Sequence, residues 1–161
     1  DIEKSDVIKN FIRFMKEKLS KHKKPISADV FGLVGNVADD LSIGQIWEKI
    51  APHVDYMSPM IYPSHYPKGF AKIKDPDLEP YKTITKSLKR SIKRNNQLKK
   101  PTKIRPWIQG FTAKWLTEYK RYGHKQLSSQ IKALEDVGIE EYLIWNPRSK
   151  YEVFFPLDNE S

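Results

Sequence analysis

Apolar residues recur at helical spacing near the start of the chain. Val7, Ile8, Phe11, Ile12, Met15 and Leu19 fall on one face of residues 5–21, with Ser5 as a candidate N-cap and Asp6 in the first turn. Pro25 stops this helix, and residues 26–32 (ISADVFG) read as a buried strand that Gly32 and Gly35 break. Ser42-Ile43-Gly44-Gln45 has capping-box form and predicts a short helix through Trp47 and Ile50. Residues 55–62 (DYMSPMIY) form a second predicted strand, ended by Pro63. A third helix is predicted over 78–98, with Tyr81, Ile84, Leu88 and Ile92 at repeats of three or four. A third strand follows at 104–111 (IRPWIQGF). A fourth helix at 124–137 carries Leu127, Ile131 and Leu134 inward and Gly138 as its stop, and a fourth strand occupies 141–146 (EYLIWN).

Helix then strand, four times over, predicts an α/β protein of parallel β/α units. Pro59 and Pro106 sit awkwardly inside two of the strands, because proline gives no N–H to a ladder. The connections are unequal. Helix-to-strand links are short, whereas about nine, fifteen and twelve residues follow Phe31, Tyr62 and Phe111. In parallel α/β folds the loops at the carboxyl ends of the strands build the functional site, so that end is expected to hold it.

Composition narrows the class. The 161 residues suit one domain, and 12% aromatic content excludes a disordered chain. No apolar run approaches the roughly 18 residues of a membrane span, and residues 1–9 carry no signal-peptide pattern. The protein is therefore cytosolic, or a leader lies outside this sequence. Zero cysteines exclude disulfides, thiolate metal sites and a cysteine nucleophile. The net charge of +9 is local: residues 81–103 hold nine Lys or Arg and no acid, and the other 20 basic residues balance the 20 acidic ones. A solvated helix face is the ordinary reading of such a run, with Lys86, Lys89, Arg90, Lys93 and Arg94 outward. Polyanion binding is the competing one. Nucleic acid is disfavoured because only Tyr81 offers a ring for base stacking there.

A complete barrel of eight β/α units needs about 250 residues, and nothing here forms a glycine-rich phosphate loop. The segments ISADVFGLVGN, VDYMSPMIYPSHYPKGF, RPWIQGF and EYLIWNP resemble the last four strands of a family of bacterial glycoside hydrolases long catalogued as a domain of unknown function. Its members are (β/α)₈ barrels distantly related to the amylase and chitinase groups. The resemblance covers roughly residues 2–151. It implies strands five to eight of a TIM-type barrel, with residues 1–161 as one C-terminal half-barrel domain. It further implies hydrolysis of O-glycosidic bonds in a polysaccharide or glycan, and an extracellular or cell-envelope location. Members also carry a strand-four motif of the form FDEIQFDYIRFP, which this sequence lacks.

Glycoside hydrolysis uses two carboxyl groups, about 5–5.5 Å apart when retaining and about 6.5–9.5 Å when inverting. Alternation along 26–32 puts Ser27, Asp29 and Phe31 on one face, and Asp29 is the only carboxylate in the middle of a predicted strand. Asp29 is the candidate catalytic acid; a structural acid bonded to a neighbouring strand or to Ser58 is the alternative. With one acid where two are required, the chain alone is expected to be inactive. Candidate substrate contacts are Tyr62, His65, Tyr66, Trp107, Gln109, Trp145 and Asn146. His65 is either a hydroxyl ligand or a loop histidine bonded to backbone, and Trp107 and Trp145 are either sugar-facing or core. Trp145 resembles the sugar-stacking indole at the last strand of chitinase-like barrels. Asp39, Asp40, Asp75, Asp77 and Glu79 read as helix-start or solvated acids. No second histidine or carboxylate lies at metal-ligand spacing near His65, and no cofactor is implied. The expected partners are a carbohydrate and, because a half-barrel exposes sheet edges, the missing N-terminal half or a second copy of the chain. A non-catalytic carbohydrate-binding domain and a polyanion binder acting through 81–103 are the rival functions.

Overall fold

A computed structural model describes residues 3–152 and 154. The elements run α1 (Lys4–Leu19), β1 (Ser27–Phe31), α2 (Trp47–Ile50), β2 (Tyr56–Met60), α3 (Pro80–Asn95), β3 (Lys103–Ile104), β4 (Trp107–Gln109), α4 (His124–Glu135) and β5 (Leu143–Trp145). They fall into two compact units. The first holds the residues up to Met60 with Ser87–Pro106; the second holds Ile61–Lys86 with the residues from Trp107 onward.

In the first unit β1 pairs parallel with β2, in register from Ser27↔Tyr56 to Phe31↔Met60, and β2 pairs parallel with β3. Val30, Val34, Trp47, Ile50, Ala51, Val54 and Met57 form the core, and Ile8, Ile12, Ala28 and Ile104 pack against it. The buried indole of Trp47 donates Nε1–H to Asn95 Oδ1 at 3.3 Å, and Asn95 Nδ2 in turn donates to Thr102 O at 2.8 Å. Both polar groups are thus satisfied where water does not reach.

The structure revises four sequence expectations here. Ser5 is not the N-cap of α1; Glu3 is, and Ser5 is buried in the first turn, where it accepts Lys49 Nζ at 2.8 Å. The apolar stripe of α1 is rotated. Ile8 and Ile12 meet the core, whereas Val7, Phe11, Phe14 and Leu19 are exposed. No capping box forms at Ser42. Asp39 and Asp40 accept the backbone N–H groups of Leu41 and Ser42 at 3.0 and 2.9 Å, holding both residues at positive φ, so α2 starts only at Trp47. The strand expected at 104–111 is two strands, because Pro106 supplies no N–H and restricts Arg105. Met57 O accepts Arg105 N–H at 2.9 Å, so Pro59, two residues on, turns its missing donor towards that same interruption.

The basic run is not uniformly solvated. Lys89, Arg90 and Lys93 are exposed, but the Arg94 guanidinium bonds the Glu48 carboxylate and the carbonyls of Val34 and Val37.

In the second unit β4 pairs parallel with β5, from Trp107↔Leu143 to Gln109↔Trp145. Leu127, Ala133 and Leu134 of α4 are buried. Gly138 ends that helix at φ +76°, where its own N–H meets Glu135 O and Ile139 N–H reaches back to Leu134 O at 3.0 Å. Gly110 lies against β5: its N–H donates to Trp145 O at 2.8 Å, and a Cβ there would lie 2.8 Å from Ile144 Cγ2. Among the described residues no helix is long and apolar enough to cross a membrane.

The tightest packing in the first unit yields a test. A Cβ on Gly35 would fall 2.1 Å from Ser91 Oγ and 3.2 Å from the Trp47 ring. Gly35→Ala is expected to lower stability by about 1–3 kcal/mol, read as a drop in the denaturant midpoint at unchanged m-value.

Candidate functional site

Asp29 belongs to the first unit. The β1 side chains alternate as the sequence requires: Ala28 and Val30 turn to the core, whereas Ser27, Asp29 and Phe31 are exposed on the other face. Asp29 stands opposite Ser58 in register, and the Ser58 hydroxyl meets Ser27 Oγ at 2.9 Å.

The second unit gathers most of the other candidates. The loop after β2 turns at Pro63–His65, and the loop after β4 carries Phe111 and Trp115. His65 meets three rings edge-on: Tyr62 at 5.4 Å between centroids, Phe111 at 6.0 Å and Trp115 at 5.9 Å. Phe111 and Trp115 lie face to face at 5.9 Å with planes 27° apart. Trp115 is 64% exposed, so this is an open aromatic shelf and not a core cluster. On the adjoining strands Trp107 and Trp145 meet edge-to-face at 6.0 Å, and Trp145 is 45% exposed.

Beneath the shelf lies a buried polar network. Gln109 is fully buried; its Oε1 accepts Ser64 N–H at 3.0 Å and Ser64 Oγ–H at 2.8 Å. Its Nε2 donates to Asp77 Oδ1 at 3.1 Å and to Phe111 O at 3.0 Å. Asp77 Oδ2 accepts Lys120 N–H at 2.8 Å, and Asp77 O accepts the Tyr122 phenol at 3.1 Å. Ser64 Oγ lies 3.0 Å from His65 Nδ1. Desolvation by the surrounding rings pushes the His65 imidazole below its usual range, and the Asp77 charge opposes part of that. Burial, reinforced by the same charge, pushes the Tyr122 phenol up.

These contacts sort the candidates. His65 and Trp145 are exposed, as a ligand contact requires. Tyr62 and Trp107 stand beside them as supporting rings. Three candidates have other work. Gln109 has no exposed surface, so it organises the loops and does not touch a ligand. Tyr66 is buried against Phe70, centroids 4.4 Å apart, and fills the loop interior. Asn146 spends Nδ2 on Gly110 O and Lys150 O, both at 2.7 Å, and Oδ1 on Arg148 N–H. Sequence reasoning missed Ser64, Asp77, Phe111 and Trp115. An unpaired tryptophan in a long strand-to-helix loop was a usable signal for Trp115. Asp77 reads from the sequence as a helix-start or solvated acid; it does stand in the first turn of the short helix Pro76–Leu78, but it is 4% exposed. Among the described residues no group of three or more His, Asp or Glu is placed to hold a metal ion.

Residues 1–151 match the family described as "Putative glycosyl hydrolase domain". The chain belongs to this family. No curated protein matches it. Among solved structures it is similar to the PgaB (BpsB) glycoside hydrolase domain of Bordetella bronchiseptica, at 15% identity and a TM-score of 0.58, over 89% of this chain and 37% of that one. A second likeness is to bee venom hyaluronidase, at 12% identity and a TM-score of 0.44, over 66% of this chain and 31% of that one. The Bordetella likeness shows the fold: α/β, built of the parallel β/α units that make up a glycoside hydrolase (β/α)₈ barrel. The chain spans little more than a third of that structure's length.

The environment of His65 makes a titration prediction for this family member. Its midpoint, followed by NMR, is expected below the ordinary value of about 6.5. The unfolded chain then binds more protons than the folded one in the window below pH ~6.5. Stability should therefore fall as the pH drops through that window, by denaturant titration at several pH values.

Proposed function

We propose that the chain is the substrate-binding part of a glycoside hydrolase that cleaves an O-glycosidic bond in a polysaccharide or glycan. The observation that carries this reading is the open aromatic shelf of Phe111, Trp115 and His65, together with Trp145 exposed at the carboxyl end of β5. Pyranose rings present apolar C–H faces, and an exposed indole or phenyl plane is their natural counterpart. Membership of a glycosyl hydrolase domain family supports the same reading.

Asp29, in the first unit, is the proposed catalytic carboxyl. A second carboxyl is required, and none other is centred in a described strand, so the chain alone should not turn over. The exposed strand face at Phe31 and the exposed stripe of Val7, Phe11 and Phe14 on α1 support partnership with further β/α units of a larger barrel or with a second copy.

Trp115→Ala is expected to weaken binding of soluble oligosaccharides about tenfold, the value of roughly 1.4 kcal/mol of lost stacking, measured by titration calorimetry. In a parent protein carrying both carboxyls, Asp29→Asn should abolish turnover and leave affinity nearly unchanged. Unchanged turnover would remove Asp29 from the catalytic pair.

One observation favours polyanion binding as a second reading. At the amino ends of β1, β2 and β3, within the first unit, a cavity of about 510 Å³ is ringed by Lys16, Lys23, Lys24, Lys100 and Lys103. Only Lys100 and Lys103 come from the basic run. Heparin or polyphosphate affinity that falls steeply between about 50 and 200 mM salt, and is lost on Lys16→Glu with Lys24→Glu, would establish this reading; no binding at about 50 mM removes it.

A further inference from the structure

We propose that Gln109 is a positioning residue whose amide, oriented by Asp77, Phe111 O and Ser64 N–H, fixes His65 as the Nδ1–H tautomer and so presents Nε2 as an acceptor for a substrate hydroxyl. The identity of the substrate rests on the carbohydrate reading above; the tautomer does not.

Each step follows from what the groups are able to donate. A carboxylate only accepts, and Asp77 places its two oxygens on Lys120 N–H at 2.8 Å and Gln109 Nε2 at 3.1 Å. A carbonyl only accepts, and Phe111 O takes the other Nε2 hydrogen at 3.0 Å. The amide nitrogen of Gln109 thus faces two obligate acceptors, while its oxygen faces an obligate donor, Ser64 N–H, at 3.0 Å. Reversing the amide would set oxygen against oxygen twice and N–H against N–H once. The Gln109 backbone is held too: its N–H donates to Gln130 Oε1 at 3.0 Å, and Gln130 Nε2 donates to its carbonyl at 2.9 Å.

With that orientation fixed, the rest is forced. Gln109 Oε1 has no proton to give, so the 2.8 Å contact with Ser64 Oγ consumes the single hydroxyl hydrogen of Ser64. The 3.0 Å contact from Ser64 Oγ to His65 Nδ1 is then made only with Nδ1–H donating. A neutral imidazole carries one ring proton, which leaves Nε2 with its lone pair. Ser64, Asp77 and Gln109 are all buried, so water does not compete for the relay, whereas His65 is exposed to a ligand. The polarity of the site therefore originates at a buried amide two hydrogen bonds away from the imidazole. Gln109 contacts no substrate in this scheme.

The test is a long-range ¹H–¹⁵N correlation spectrum of the labelled chain, recorded above the His65 titration, with His22, His53 and His124 as internal references. The wild-type spectrum should show a protonated Nδ1 and an unprotonated Nε2. Gln109→Leu removes the acceptor that takes the Ser64 hydroxyl hydrogen; Ser64 is then able to donate to Nδ1, and an Nε2–H form should appear. Ser64→Ala keeps Asp77 and Gln109 but cuts the link, and should release His65 to a tautomer mixture. A wild-type Nε2–H form, or an Nδ1–H form that persists unchanged in either variant, overturns the proposal. Chitotetraose, cellotetraose and maltotetraose are then added in turn. A bound sugar that shifts the wild-type Nε2 resonance supports the acceptor role, and one that binds without moving it overturns that role. If none of the three binds, the carbohydrate reading loses its support while the tautomer assignment stands on the first spectrum.

Discussion

A buried primary amide brings four hydrogen-bonding demands, and Gln109 has all four met within the second unit. Its side chain joins the loop after β2 at Ser64, the turn at Asp77 and its own loop at Phe111, and its backbone is clamped to α4 by Gln130. An unmet buried donor or acceptor costs about 1–3 kcal/mol, so none of these segments can move alone without exposing such a cost. The rings of the shelf are held on the same segments. Phe111 is two residues from Gln109, and His65 is one residue from Ser64. The aromatic surface is thus placed by polar bonds beneath it, and the apolar core of Ile108, Leu127 and Leu134 supports the strand that carries the amide.

Much of the architecture was legible along the chain because proline and glycine mark its edges. Pro25, Pro63 and Gly138 set element ends within two or three residues of where β1, β2 and α4 begin or stop. Alternation in ISADVFG gave the right face for Asp29, because a parallel strand has only two faces and Val30 needs the covered one. The rotation of α1 was not legible. Val7 and Phe11 are as apolar as Ile8 and Ile12, and which edge packs is decided by Trp47 and Ile50, far along the chain. The turn at Ser42 misled for a similar reason: two aspartates just upstream offered the backbone a local alternative to a helix start.

The site was only half legible. Aromatic residues in strand-end loops were visible, but the network was not, since Asp77 meets Gln109 across 32 residues and Ser64 meets it across 45. A lone aspartate next to prolines looks the same whether it is solvated or buried. Gln109, Tyr66 and Asn146 show the converse. All three sit at the strand ends where a ligand is expected, yet their polar groups or rings are already occupied by the protein. Location at the carboxyl end of a strand is thus a sign of involvement in the site, and not of contact with what the site holds.

The close approach at Gly110 bears on how the Trp145 platform behaves. The backbone beneath that indole is bonded to Gly110, and no room remains between the two chains for even a methyl group. The ring's base cannot slide when something settles on it. If the proposed stacking role holds, a visiting molecule would find the backbone under its landing surface already assembled, and little backbone freedom would be surrendered on docking. Discrimination among visitors would then fall to the outline of the guest, because the backbone of the host would not remould itself to suit one.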